Sequence, residues 1–243
     1  MTTTQISPAH VPAAARVAQV ARVHTKPLAG LLWWPLGIGA AAFAIAYAII
    51  ALVDAPQEAN FTGGVSAVFF SVLGFYIVSI TQTFPFAVGL GVTRRDFFAS
   101  ILLVGAGQVL VLSALLFGLA LVERATDGFG LNMLAFDIGS VFTSSEWVQF
   151  ACIASLFVFG NGIGLLLGAI QFRYRMTGIY VVGTAVLVAL GALAVLVTWA
   201  GWWGDIGSWF VSVPVAVPMV VMPLAVGLAA IAGAWALLRR ATV

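Results

Sequence analysis

The chain has 243 residues, 63% of them hydrophobic and only 7% charged, with a formal net charge of +2 and a mean hydropathy of +1.14. A soluble domain carries about 25% charged residues and still leaves roughly a quarter of its unfolded surface exposed at a comparable size, so a soluble enzyme, a nucleic-acid-binding domain and a disordered chain are all excluded. What remains is an all-α integral membrane protein that crosses the bilayer several times.

In chain order, residues 1–26 read as a cytoplasmic N-terminal segment. Pro8, Pro12 and the lack of an apolar core before residue 27 do not fit a cleavable signal peptide. Arg16, Gln19, Arg22 and Lys26 share one side at helical spacing, and Val17, Val20 and Ala21 share the other. That pattern predicts an interfacial helix on the inner leaflet, although Val23 falls on the wrong side. The bland alternative is a disordered basic tail. The one cysteine, Cys152, sits in an apolar run, and both histidines, His10 and His24, precede the first run, so no disulfide or cysteine metal cluster is expected.

From 27 to 240 the charges delimit six charge-free runs: 27–53, 59–93, 97–122, 147–172, 176–204 and 206–238. A helix rises about 1.5 Å per residue and the hydrocarbon core is about 30 Å thick, so each run holds one crossing. The expected spans are 28–52, 64–88, 97–121, 147–171, 177–200 and 214–238. Continuous apolar runs argue against a barrel, whose strands alternate over about ten residues. Pro27 suits a first helical turn, and Trp33 and Trp34 suit the headgroup belt. Pro85, Gly89 and Gly91 are expected to break the second helix near its cytoplasmic end. The loop 123–146 is expected to hold a short helix around 130–137 and to end in a capping box at Thr143 and Glu146. The loop 201–213 reads as irregular, interfacial or re-entrant. Nine of the ten Lys and Arg residues fall on one side of this topology and Arg124 alone on the other, which puts both termini in the cytoplasm.

Between spans two and three lies the most informative string, Gly89-Leu90-Gly91-Val92-Thr93-Arg94-Arg95-Asp96-Phe97-Phe98. Thr93 and Asp96 have capping-box spacing, so a helix is expected to start there with Asp96 near its positive end. Phe97 and Phe98 are expected at the interface. Gly160, Gly164 and Gly168 form a small-residue stripe in span four, and Ala225, Ala229 and Gly233 repeat it in span six, either for packing within the chain or for a dimer seam or sliding surface. Tyr76, Gln82, Gln108 and Asn161 are polar positions inside spans, read either as interhelical glue or as the lining of a translocation path. No Asp, Glu, His, Lys or Arg lies inside a span, which argues against ion coupling and proton relay, and no P-loop is present.

The 89–98 string and the whole layout resemble permease subunits of ABC-2 type transporters. The resemblance implies a coupling helix at 89–98 that docks on a separate ATPase. Gly91, Thr93, Arg94, Arg95 and Asp96 become contact candidates, with Arg173 and Arg175 in a minor second contact. It also implies two ATPase subunits as partners, a second permease copy or paralogue, and ATP with Mg²⁺ bound in the partner rather than here. No catalytic residue, metal or nucleic acid is expected in this chain. The function so implied is an exporter of an amphipathic or lipid-like substrate in a bacterial plasma membrane. The rival readings are an ATP-independent facilitator or channel, and a non-transporting membrane sensor or assembly partner.

Overall fold

The computed structural model describes residues 13–25, 29–53 and 60–240 and is about 89% helical. A short helix α1 (Ala13–Thr25) precedes four helices long and apolar enough to cross a membrane, α2 (Gly30–Val53), α3 (Gly64–Gly89), α4 (Arg94–Ala125) and α5 (Glu146–Ala200). After them come α6 (Trp203–Ser212) and a fifth such helix, α7 (Val217–Leu238). The fold is all-α and compatible with a multi-pass membrane protein. The Arg22 side chain, Lys26, Pro27, Asp54 and Glu58 lie outside the described residues.

The expected fourth and fifth spans form one helical stretch of 55 residues, α5, which is interrupted at a single position. Arg175 has φ 57° and ψ −156°, and Gly178 lies back against Ile170 and Tyr174, so the helix breaks sharply there. Two limbs result, 146–174 and 176–200.

The core forms where α3, α4, the first limb of α5 and α7 meet. Tyr76, Ile80 and Phe84 of α3 interlock there with Phe97, Ile101 and Leu112 of α4, Phe157 and Leu165 of α5, and Leu238 of α7. The second limb of α5 and α6 keep large apolar side chains outward, with Leu187 72% and Trp199 86% exposed. A continuous apolar surface of this kind suits a hydrocarbon surrounding and not water.

Close approach between helices comes from glycine. The stripe Gly160, Gly164 and Gly168 packs within the chain against α3, where a Cβ on Gly164 would come 2.8 Å from the Leu73 carbonyl oxygen. In α7 the small-residue face differs from the expected one. Ala225 and Ala229 are exposed, whereas Gly227, Ala230 and Ala234 are buried. Gly162 and Gly227 mark the crossing of α5 and α7, and a Cβ on Gly227 would sit 2.8 Å from the Val158 carbonyl oxygen.

Proline leaves carbonyls without partners inside these helices, and neighbouring helices supply donors. Pro35 has no N–H for the Leu31 carbonyl, and Gln108 Nε2 donates to that oxygen at 2.6 Å. Pro223 likewise leaves the Met219 carbonyl, and Ser155 Oγ donates to it at 3.1 Å. The break expected at Pro85, Gly89 and Gly91 falls at Gly89 and Gly91, not at Pro85. A π-helical turn over Ser79–Thr83 absorbs the proline, and the helix runs on to Gly89.

Several other expectations are corrected. The helix expected in the N-terminal segment does form, as α1, but it packs along the first half of α4, with Ala21 buried beside Leu31 and Val104. Helix α2 therefore starts midway along α4, and the exposed Trp33 and Trp34 lie at mid-helix height rather than at its end. The loop after α4 is not helical at 130–137. It makes a turn with positive φ at Asp127, Phe129 and Asn132, then a two-residue strand β2 (Met133–Leu134) that pairs in parallel with β1 (Asn60–Phe61). A 3₁₀ turn follows over Asp137–Val141. Glu123 accepts from the backbone N–H groups of Ala135 and Phe136 at 3.0 and 2.8 Å, which ties this loop to the end of α4. Thr143 and Glu146 form no capping box, because Ser145 is the residue before the helix and its side chain makes no cap bond. The segment expected to be irregular is the helix α6.

Because α5 and α7 touch backbone to backbone at Gly227, Gly227→Val should destabilise the fold by about 1–3 kcal/mol or more, as overpacking does. Ala229→Val, on the exposed face, should change it by less than about 0.5 kcal/mol. Thermal unfolding in detergent measures both.

Candidate functional site

Two places concentrate the candidate residues, a corner at the basic end of the bundle and a polar cluster within it.

The corner joins α3 to α4 through Leu90–Thr93. Gly91 has φ 87°, Gly91 N–H donates to the Val88 carbonyl at 2.9 Å, and Val92 N–H donates to the Ala87 carbonyl at 3.1 Å. These are the two bonds of a Schellman stop, and the left-handed residue at its centre favours glycine. Two residues later Thr93 caps the next helix, its Oγ1 accepting from Asp96 N–H at 3.1 Å. A C-cap runs directly into an N-cap, so the corner has no slack.

The charged side chains of the corner divide their work. The Asp96 carboxylate is buried and accepts from Arg16 Nε of α1 at 3.3 Å. Arg94 turns toward the end of α7, where its guanidinium donates to the Leu238 and Arg239 carbonyls at 3.5 and 3.4 Å. Those carbonyls are the unsatisfied, negative end of the α7 dipole. Arg95 is exposed and makes no ion pair among the described residues. Phe97 and Phe98 are not interfacial anchors. Both are buried, Phe97 against Phe84 at 5.1 Å between ring centroids and Phe98 against Trp235 at 5.1 Å. Nearby, Arg173 and Arg175 are exposed, and the Arg173 guanidinium lies 5.3 Å from the Tyr174 ring centroid.

The polar cluster brings three of the four span candidates together. Tyr76 Oη donates to Gln108 Oε1 at 2.8 Å, and Gln108 passes the chain on to the Leu31 carbonyl. Asn161 faces the same place from α5. A Cβ on Gly105 would lie 3.0 Å from Tyr76 Oη and 3.4 Å from Asn161 Nδ2. Gln82 is not part of the cluster. It is exposed on the π-helical turn of α3. Beside the cluster lies a cavity of about 350 Å³ between α3, α4, α5 and α7. Sequence reasoning missed Gly105 and Arg16, because neither a lone glycine in an apolar run nor one arginine in a basic segment signals its partner. Among the described residues, no three His, Cys, Asp or Glu side chains converge as metal ligands would.

At the opposite, acidic end Arg124 binds Asp137 through two bonds of 3.1 and 2.7 Å and also donates to Gln149 Oε1 at 2.8 Å. This clasp closes the loop that Glu123 holds. It is a structural lock on that end of the bundle.

Compared with family models, curated proteins and solved structures, the chain matches none.

The Tyr76–Gln108–Leu31 chain ties α3, α4 and α2 together. Tyr76→Phe removes one interhelical hydrogen bond and should cost about 0.6–1.7 kcal/mol. Gln108→Leu leaves both the Tyr76 hydroxyl and the Leu31 carbonyl unpaired, so it should cost more. Comparative unfolding in one detergent reads the order of the two variants.

Proposed function

We propose that this chain is the membrane subunit of an ATP-driven exporter in a bacterial plasma membrane. In this reading it crosses the bilayer six times, with the two limbs of α5 as separate crossings and both termini in the cytoplasm. The sharp break at Arg175 supports the count, since 55 residues of unbroken helix would be about 80 Å long. The gathering of Arg94, Arg95, Arg173, Arg175 and Arg239 at the end away from Glu123, Asp137 and Glu146 supports the orientation.

One observation carries the coupling assignment, namely the corner stapled on both sides. A load on the exposed Arg95 passes to α1 through Asp96–Arg16 and to α7 through Arg94. It also passes along α4 to Gly105, about 15 Å further at 1.5 Å per residue. Coupling needs such a contiguous chain of contacts between two arrangements. Gly91 and Thr93 keep the joint stiff, and Arg173 and Arg175 form a second, smaller contact. Two ATPase subunits bind Mg²⁺ and ATP and drive the switch, and a second permease copy or a paralogue completes the pathway. Tyr76, Gln108 and Asn161 line the cargo path, and the cargo is amphipathic or lipid-like, since no charged side chain faces that path.

The test is isolation from native membranes in mild detergent. The chain should bring down a P-loop ATPase and hydrolyse Mg-ATP. Arg95→Glu should lower both about ten-fold or more, because the reversed charge meets the partner directly. Docking that survives Arg95→Glu refutes the coupling assignment.

A further inference from the structure

Almost every buried polar side chain of the bundle has a partner, and Asn161 does not. It is 5% exposed, and its Oδ1 is fully enclosed with no hydrogen bond. Thr62 and Ser113 also carry an unpaired buried hydroxyl, but of the three only Asn161 lines the cavity of about 350 Å³. A buried amide without a partner is costly unless a ligand or water meets it.

The rest of the cavity wall is hydrocarbon apart from the Tyr76 hydroxyl, and no charged side chain lines it. Gly105 keeps the polar patch accessible, since a Cβ there would crowd both Tyr76 Oη and Asn161 Nδ2. Ala106 and Leu110 line the cavity and are exposed on the flank of α4, so it opens sideways at mid-helix height. Its volume falls at the small end of ligand sites, which run from about 300 to 1,000 Å³.

We infer that this cavity binds an uncharged amphipath, an apolar body with one hydroxyl-like head, which enters laterally from the bilayer. The head accepts from Asn161 Nδ2, the amide atom that lies beside Gly105 and Tyr76 Oη, and the body lies against the leucine, isoleucine and valine side chains. A charged head is rejected, because no side chain at the cavity carries a countercharge. The inference rests on reading the Tyr76–Gln108–Asn161 cluster as the cargo path, and it names the cargo class.

The test uses the full chain in lipid nanodiscs without nucleotide or partner. The probe is a diazirine-bearing long-chain primary alcohol, and adducts are located by peptide mass spectrometry. They should concentrate on 101–110 and 158–165. Asn161→Leu should reduce them roughly five- to ten-fold, as one lost hydrogen bond would. Ala106→Phe, which narrows the mouth from an exposed position, should do the same and carries the test alone if Asn161→Leu fails to fold. The matching alkyl sulfonate should label these peptides no more than background. The inference is overturned if both folded variants label like the wild type, which is the outcome if only water meets Asn161. It is equally overturned if labelling is spread evenly onto the exposed 176–200 limb, or if the sulfonate labels as strongly. A chain that binds the alcohol here yet brings down no ATPase keeps this inference and loses the exporter reading. An ATPase-coupled chain whose cavity stays unlabelled loses only this inference.

Discussion

A helix packed in hydrocarbon must satisfy its own backbone, because no water is at hand to do so. Much of this architecture follows from the places where the chain breaks that rule and repairs it. Pro35 and Pro223 each leave a carbonyl without its N–H, and Gln108 and Ser155 reach across from other helices to fill the gap. The last carbonyls of α7 are met by Arg94. Each repair is also a tether between helices, so proline positions and tertiary contacts are two aspects of one constraint. Against that background the unpaired amide of Asn161 stands apart.

The same constraint shapes the corner between α3 and α4. Gly91 and Val92 N–H groups meet the Val88 and Ala87 carbonyls of α3, and Thr93 satisfies a first N–H of α4 directly after them. With the turn so short, the corner cannot bend without breaking a cap. Asp96 and Arg94 extend that stiffness to α1 and α7, and Arg95 is left to face outward. Two adjacent arginines thus serve different ends, one inside the fold and one at its surface.

The apolar layout was readable from composition and charge spacing alone. The helix start at Thr93 was readable too, because a cap is a local interaction whose partners are three residues apart. The expected capping box at Thr143 fails for a reason the local pattern does not contain. The loop before it is held by Glu123 and Arg124 from another part of the chain, and the helix begins later. Phe97 and Phe98 look like interface anchors by neighbourhood and are core by packing, since Phe84 and Trp235 come to them from distant segments. In α7 the small residues recur too often for spacing alone to choose the contact face. The crossing with Gly162 selects Gly227, Ala230 and Ala234.

The amino-acid sequence by itself determined that the chain is helical and apolar, where its charges punctuate it, and which short caps start and stop its helices. These depend on composition and on partners within a few residues. Only the tertiary structure decided that Tyr76 and Asn161 meet at Gly105 with Gln108 bound to Tyr76 while Gln82 stays outside, and that Arg94 is bound while Arg95 makes no ion pair among the described residues. The physical reason is that helix rotation and height are set by packing between segments 30 to 140 residues apart. Neither quantity is encoded in the spacing along any one helix.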